Sequence, residues 1–305
     1  MSKPVLAIHG GAGTVDKNLM TPELEAEYRS GLDAALKAGW SVLEQDGRSI
    51  DAVQAAVVAL ENFPLFNAGR GSVFTHDGRQ EMDASIMDGS DLRAGAVAAI
   101  KNIRNPITLA RAVMERTAHI LLVGEGAMQF AAEEGFPLEP DEYFFTEGRW
   151  RQLQDAIAAG RIQLDHASPK PLGTVGAVAC DAQGRLAAAT STGGMTNKKF
   201  GRIGDTPLIG AGTYANERCA VSCTGHGEYF MLGGDGLRRC GQDGIQRSVL
   251  ERCGRRVGRI LDEDRRRRRR HCCRQLRQRS NAVQFRRMYR GVADASGFRV
   301  SIYRD

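Results

Sequence analysis

At 305 residues the chain is long enough to bury a sizeable core, and its composition is that of an ordinary globular protein with 36 glycines. No run approaches the ~18 apolar residues of a membrane span, and Val5-Leu6-Ala7-Ile8 is too short for the apolar core of a signal peptide, so a soluble, cytoplasmic protein without membrane partners is expected. The net charge of +6 is unevenly spread: Met231 to Arg290 holds nineteen arginines, no lysine and six acidic residues, a local excess of +13 that leaves −7 for everything else.

Leu6 to Ile8 reads as a short buried strand ending in the turn Gly10-Gly11. From Pro22 to about Leu43, Leu24, Tyr28, Leu32, Leu36 and Trp40 recur at the spacing of one helix face, and Gly47 ends the pattern. Ser49 is placed to cap a second helix carrying Ile50, Val53, Val57 and Leu60, which Pro64 closes. Strands are expected at Glu81 to Met87 and Gly95 to Ile100. Asn105-Pro106 should start a helix, because the capping side chain of Asn105 precedes a proline whose missing N–H costs nothing at the first helical position. His119 to Val123 reads as a strand and Gly126 to Glu134 as a helix. From about 135 to 173 the pattern loosens into a polar connector, read as a mobile linker. Strands resume at Val175 to Cys180, Leu186 to Ser191 and Cys219 to Thr224. Helices followed by strands, without regular alternation, suggest two packed sheets with helices outside.

Some motifs are excluded. Gly10-Gly11-Ala12-Gly13 lacks the Gly-Lys-Ser/Thr ending of a phosphate loop, and Gly69-Arg70-Gly71 is too short for a dinucleotide fingerprint, so no organic cofactor is expected. Seven cysteines, an odd count without an export signal, imply reduced thiols, and neither Cys272-Cys273 nor Cys219 with Cys223 is spaced as a zinc clamp.

The most informative stretches are Gly173-Thr174-Val175-Gly176-Ala177-Val178-Ala179 and Thr190-Ser191-Thr192-Gly193-Gly194-Met195. Buried strands normally fill inward positions with large apolar side chains, so runs this rich in Gly, Ala and Thr imply that something approaches the backbone closely. One reading is a plain Gly-Thr entering a strand. The other is a nucleophile: a threonine hydroxyl needs a base, and cutting the chain before Thr174 would free an α-amine of pKa near ~8 to serve as one.

These motifs belong to a longer series: His9-Gly10-Gly11-Ala12-Gly13, Pro64-Leu65-Phe66-Asn67-Ala68-Gly69-Arg70-Gly71-Ser72-Val73-Phe74, Met82-Asp83-Ala84-Ser85-Ile86-Met87-Asp88-Gly89, Thr196-Asn197-Lys198, Gly201-Arg202-Ile203-Gly204-Asp205 and Ser222-Cys223-Thr224-Gly225-His226-Gly227-Glu228. In this order, from Val5 to Phe230, the sequence resembles the plant-type L-asparaginase and isoaspartyl aminopeptidase family of N-terminal-nucleophile hydrolases. The resemblance implies an α+β fold, the αββα sandwich, formed as one domain cleaved between Gly173 and Thr174 into an α chain, 1–173, and a β chain, 174–305. It implies an enzyme that hydrolyses β-aspartyl dipeptides and L-asparagine, with Thr174 as nucleophile and Thr192 supporting it. Thr224 and Gly225 would stabilise the oxyanion. Arg202 and Asp205 would hold the substrate's α-carboxylate and α-ammonium, with Gly227 contributing a carbonyl and Asn67 lying nearby. A structural sodium is implied on the main-chain carbonyls of Leu60, Glu61, Phe63, Phe66, Ala68 and Arg70, as is an (αβ)2 homo-oligomer. His226 departs from the small hydroxyl residue of many relatives and, with no acid partner visible, reads as a tolerated loop variant.

After Phe230 the likeness stops, returning at Met288-Tyr289-Arg290-Gly291. The Arg-rich interval 231–287, with Arg265 to Arg270 unbroken, shows no periodic apolar face and is read as a stretch translated out of frame, which would impair maturation. Two alternatives stand beside the leading reading: a glycosylasparaginase, and an inactive basic or misfolded relative. Nucleic acid is not an expected partner, because the basic block lacks interleaved aromatics.

Overall fold

The structure is a computed structural model that describes residues 3–12, 20–160, 173–236, 269–274 and 288–302, with 269–274 as main chain only. In chain order the elements are β1 (Val5–Ala12), α1 (Pro22–Glu44), α2 (Ser49–Glu61), β2 (Met82–Asp88), β3 (Ala94–Ile100), α3 (Pro106–Arg116), β4 (Leu121–Val123), α4 (Gly124–Glu133), α5 (Asp141–Phe144) and α6 (Glu147–Ala158). They continue with β5 (Val175–Cys180), β6 (Leu186–Thr192), β7 (Thr213–Ala215), β8 (Cys219–Thr224), α7 (Gly227–Gly233), β9 (Arg269–Arg274), β10 (Met288–Asp294) and β11 (Gly297–Ser301). Eight strands form one sheet in the order β11-β10-β1-β5-β6-β2-β3-β4, and three form a second in the order β7-β8-β9.

Strand alternation sorts side chains between two layers. Leu6 and Ile8 of β1, Ala177 and Ala179 of β5 and Ala187 and Ala189 of β6 join Leu32, Leu36, Val53 and Val57 of α1 and α2 in the larger core. Their alternate neighbours Val5, Ala7, Val178, Leu186 and Ala188 face Ala215 and Ala220 of the smaller sheet. The central strands are buried on both faces, which is why their runs are apolar without a polar alternate. The layer between the sheets is lined largely by alanine, and towards one end it turns polar at His9, Ser85, Thr190, Thr192, Ser222 and Thr224.

Helix α1 starts as read, with Pro22 in its first turn and the Thr21 hydroxyl accepting from Leu24 N at 3.2 Å. Two other expected caps are replaced by carboxylates from elsewhere. Ser49 lies inside α2, and its N–H donates to Asp181 Oδ2 at 3.0 Å. Asn105 makes no side-chain cap on α3, whose Ile107 N–H donates to Glu61 Oε1 at 3.0 Å.

The connector read over 135–173 is corrected in part: it holds α5 and α6, with Phe144 and Leu153 buried, and residues 161–172 lie outside the description. Within the Arg-rich interval, β9 pairs antiparallel with β8 in the register Cys219↔Arg274 to Thr224↔Arg269. Ladder pairing uses the main chain, so it does not require an apolar face on the added strand. Residues 237–268 and 275–287 lie outside the description. Beyond them β10 returns beside β1, with Val5↔Asp294 and Ile8↔Gly291 in register. Cys219 is disulfide-bonded, against the expectation of reduced thiols throughout, while Cys180 and Cys223 remain thiols. Among the described residues, no helix is long and apolar enough to cross a membrane.

Candidate active site

Thr174 stands one residue ahead of β5 and points into the layer between the sheets, where its hydroxyl donates to Thr192 Oγ1 at 3.1 Å. Thr192 closes β6, and its oxygen also accepts from Gly194 N at 3.0 Å. A third hydroxyl arrives from the smaller sheet: Thr224 Oγ1 accepts from Ala12 N at 3.1 Å and would lie 3.0 Å from a Cβ placed on Gly173. The Gly10-Gly11 turn explains its own composition here. Gly11 has φ +108, and a Cβ on it would come within 2.5 Å of Gly173 N, so only glycine lets this turn lie against the segment ahead of Thr174.

Asn67 locks the loop after Thr192. Its amide donates to Gly194 O at 2.8 Å and accepts from Val73 N at 3.0 Å, and it is almost fully buried. Behind that loop the buried Lys198 ammonium donates to Glu81 O at 2.9 Å, its pKa pulled down by burial and opposed by Asp83.

Thr224-Gly225-His226-Gly227 carries the chain from this hydroxyl cluster to a second, charged cluster. Gly225 has φ +146, which favours glycine. A Cβ on Gly227 would lie 2.9 Å from both Arg202 Nη2 and Asp205 Oδ1, so the predicted cation, anion and glycine meet at one point. Burial pushes the Asp205 carboxyl up to about 7, against the pull of the Arg202 charge.

Glu228 is a member of this cluster that sequence reasoning gave no role. It grips Arg202 through two hydrogen bonds, Nε to Oε1 at 2.9 Å and Nη2 to Oε2 at 3.0 Å. His226 Nδ1 lies 2.6 Å from Glu228 Oε2, which corrects the reading of His226 as a variant without an acid partner. Together His226 and Arg202 hold the Glu228 carboxyl well below the usual carboxylate range.

The loop after α2 presents main-chain oxygens. The carbonyls of Phe63, Phe66 and Ala68 accept the N–H of Phe66, Ala68 and Gly71 respectively, and that of Leu60 accepts from both Asn62 and Phe63. A Cβ on Gly71 would lie 2.0 Å from Phe66 O and 2.5 Å from Pro64 O, so the loop is wound tightly on its own carbonyls. The Glu61 carboxyl beneath it is pushed up to about 8 by burial. Among the described residues no group of His, Cys, Asp or Glu is arranged to hold a metal. A cleft of about 420 Å³ lined by Phe74, Arg79, Lys101, Phe145 and Trp150 contains none of the site residues.

Three hydroxyls gathered beside a glycine turn, joined by Thr224–Gly227 to a cluster of Arg202, Asp205 and Glu228, mark out a candidate threonine-centred site on an α+β two-sheet fold. Comparison with known proteins narrows this: the asparaginase family matches residues 2–234, and the chain belongs to that family. It is 51% identical over 237 residues to an isoaspartyl peptidase of Salmonella typhimurium strain LT2, covering 76% of each chain. An isoaspartyl peptidase of Escherichia coli K12 is 49% identical over 237 residues, covering 76% of this chain and 74% of that one. The isoaspartyl peptidase/L-asparaginase of Homo sapiens is 50% identical over 231 residues, covering 75% and 73%. The family match ends at 234, a few residues past the break seen at Phe230.

Proposed function

We propose that this chain hydrolyses β-aspartyl dipeptides and L-asparagine at Thr174, after scission of the Gly173–Thr174 bond frees the α-amine that serves as base. The observation that carries the reading is the hydroxyl pair Thr174–Thr192 at 3.1 Å, with Thr224 beside Gly173. The freed amine takes the proton from Thr174 Oγ1, which attacks the side-chain carbonyl of the substrate. The amide nitrogen leaves with that proton, and water releases aspartate from the acyl-threonine. His9 is a poor rival for the base, since burial drives its pKa down to about 3.

The developing oxyanion falls to the Thr224 hydroxyl and the Gly225 N–H, where each such donor is worth about 10²-fold or more in rate. Arg202 holds the substrate's α-carboxylate, and Asp205 with the Gly227 carbonyl holds its α-ammonium. The carbonyls of Leu60, Glu61, Phe63, Phe66, Ala68 and Arg70 fit a structural sodium, since neutral oxygen donors suit a hard monovalent cation. Two αβ units are proposed to pair.

Maturation and turnover test the reading together. The 33.2 kDa chain should split at Gly173–Thr174, and Thr174→Ala should stay whole and inactive. The purified protein should turn over β-Asp-Leu and L-asparagine. Activity confined to a glycosylated asparagine, or two fragments from Thr174→Ala, would overturn it.

A further inference from the structure

The cleft of about 420 Å³ beside Trp150 holds none of the residues used in the reaction above, and its lining divides into an aromatic part and a charged part. The aromatic part is a cluster of three rings. Phe74, which is buried, lies edge-to-face with Trp150, centroids 5.3 Å apart at 81°. Phe145, which is exposed, lies 6.0 Å from Phe74 and 6.2 Å from Trp150. Gly78, with φ +72, brings the tip of its turn against the indole, where a Cβ would lie 3.5 Å from the ring. Rings left open to solvent in a concave surface, with a few polar groups around them, are the usual make-up of a small-molecule site.

The charged part carries both signs. Arg79, Asp141 and Glu142 are exposed, and Lys101 is half-buried. Among the described residues Arg79 and Glu142 have no ion-pair partner, and Lys101 meets Glu81 only at 3.5 Å. Asp141 Oδ1 accepts from the Asn102 amide at 2.7 Å, which steadies the carboxylate and leaves Oδ2 for another donor. Beneath them Gln80 Nε2 donates to both Ser72 O and Phe144 O at 2.8 Å, so the floor is held by bonds that a ligand need not replace.

This mixture selects against most ligands. An organic anion that suits Arg79 and Lys101 also meets Asp141 and Glu142, and an organic cation meets the reverse. A polyanion such as a nucleotide is worse still. An α-amino acid carries one carboxylate and one ammonium on the same carbon and so answers both signs, while a ring on its side chain answers the aromatic part. The volume is at the small end of the ~300–1,000 Å³ typical of ligand pockets.

We propose that this cleft is a second binding site, for a zwitterionic amino acid with an aromatic side chain. The ring lies against Trp150 and Phe145, the carboxylate on Arg79 and Lys101, and the ammonium on Asp141 and Glu142. Under the function proposed above, such an amino acid is a product released from a β-aspartyl dipeptide, and the cleft takes it without occupying Arg202 and Asp205. The binding itself stands or falls without that reading.

Fluorescence tests it in the full chain. The sequence has two tryptophans, and Trp40 packs against Phe298, so Trp40→Phe leaves Trp150 as the reporter. L-Phenylalanine should give a saturable change with a dissociation constant of about 1 mM, the affinity of one ring contact helped by exposed charge pairs. Adding Arg79→Ala, which removes an exposed side chain and no packing, should weaken binding about three- to fivefold. 3-Phenylpropionate and phenethylamine, with one charge each, should bind at least about threefold more weakly than L-phenylalanine, and so should L-leucine, which has no ring. Saturating L-aspartate should leave the constant unchanged, because it fills the Arg202 clamp and not the cleft. No saturable signal up to about 50 mM L-phenylalanine, equal binding of either singly charged analogue, indifference to Arg79→Ala, or displacement by L-aspartate overturns the proposal. Thr174→Ala should bind L-phenylalanine as the parent does, so a failure of the nucleophile assignment and a failure of this site are read separately.

Discussion

Removing the Glu228 carboxylate should weaken the hold on substrate without touching the chemistry. Glu228 occupies the Nε and Nη2 side of the Arg202 guanidinium, at 2.9 and 3.0 Å, which leaves the Nη1 end of the fork for a substrate carboxylate. Arg202 is 18% exposed and Glu228 42%, so the pair lies between a buried charged hydrogen bond and a surface ion pair. The former is worth about 1.5–3 kcal/mol and the latter about 0–1, so an intermediate value of about 1–2 kcal/mol is reasonable. At 1.4 kcal/mol per decade, Glu228→Ala should raise KM for L-asparagine about 5- to 30-fold with kcat little changed. Glu228→Gln, which keeps one acceptor, should fall between. The assay is steady-state kinetics on L-asparagine beside its α-carboxamide analogue, which offers Arg202 no charge and should be almost insensitive. An unchanged or lower KM for L-asparagine would refute the positioning role and make Glu228 a competitor for Arg202. An equal loss on both substrates would assign it to general folding.

Asp205 supplies a pH test: its carboxyl, raised to about 7 by burial, must ionise to hold an ammonium, so kcat/KM should fall as pH drops below about 7, and Asp205→Asn should flatten that limb while raising KM. Glu61 supplies a stability test. Its pKa, raised from 4.5 to about 8, means that the native state keeps a proton the unfolded state has lost between those values, so stability should fall as pH rises from 4.5 to 8, by on the order of 5 kcal/mol in all. Urea unfolding of uncleaved Thr174→Ala at pH 5 and pH 9 should show that loss, and Glu61→Gln should remove most of it; a wild-type difference that survives in Glu61→Gln would place it elsewhere. Gly11→Ala should slow scission at Gly173–Thr174, because its Cβ would lie only 2.5 Å from Gly173 N, inside van der Waals contact, and time-resolved gel analysis of fresh protein would read the delay. Replacing 237–287 by a stretch following the pattern of the relatives should raise the fraction of chain cleaved; no gain would show that the Arg-rich interval suffices.

How much of this was legible in the sequence depends on how local the cause is. Periodicity placed α1, β5 and β8 to within a residue or so, because their faces are set by the spacing of their own apolar side chains. The stretch holding α5 and α6 was missed because its inward face is carried by few residues, Phe144, Leu153 and Ala156 among them, within a largely polar run. β7 spans three residues and has no pattern to read. Both mistaken caps fail for one reason: Asp181 reaches Ser49 across 132 positions and Glu61 reaches Ile107 across 46, so the partner is tertiary and the local capping residue is spare. The same distance hid Glu228, twenty-six positions from Arg202.

The polar residues on the buried strands are a different case. His9, Ser85, Thr190 and Ser222 stand at alternate positions that packing alone would give to valine or alanine, and that anomaly is local and visible. What the sequence does not carry is their meeting. Residues 9, 85, 190, 213 and 222 come together only because β1, β2, β5 and β6 lie side by side in one sheet while β7 and β8 cover that end from the other. A buried hydroxyl costs about 1–3 kcal/mol if left without a partner, so each of these residues is tolerable only in the company of the next. That mutual dependence means that an isosteric change at Thr190, which removes a partner from both Ser222 and Thr213, is felt by two side chains at once.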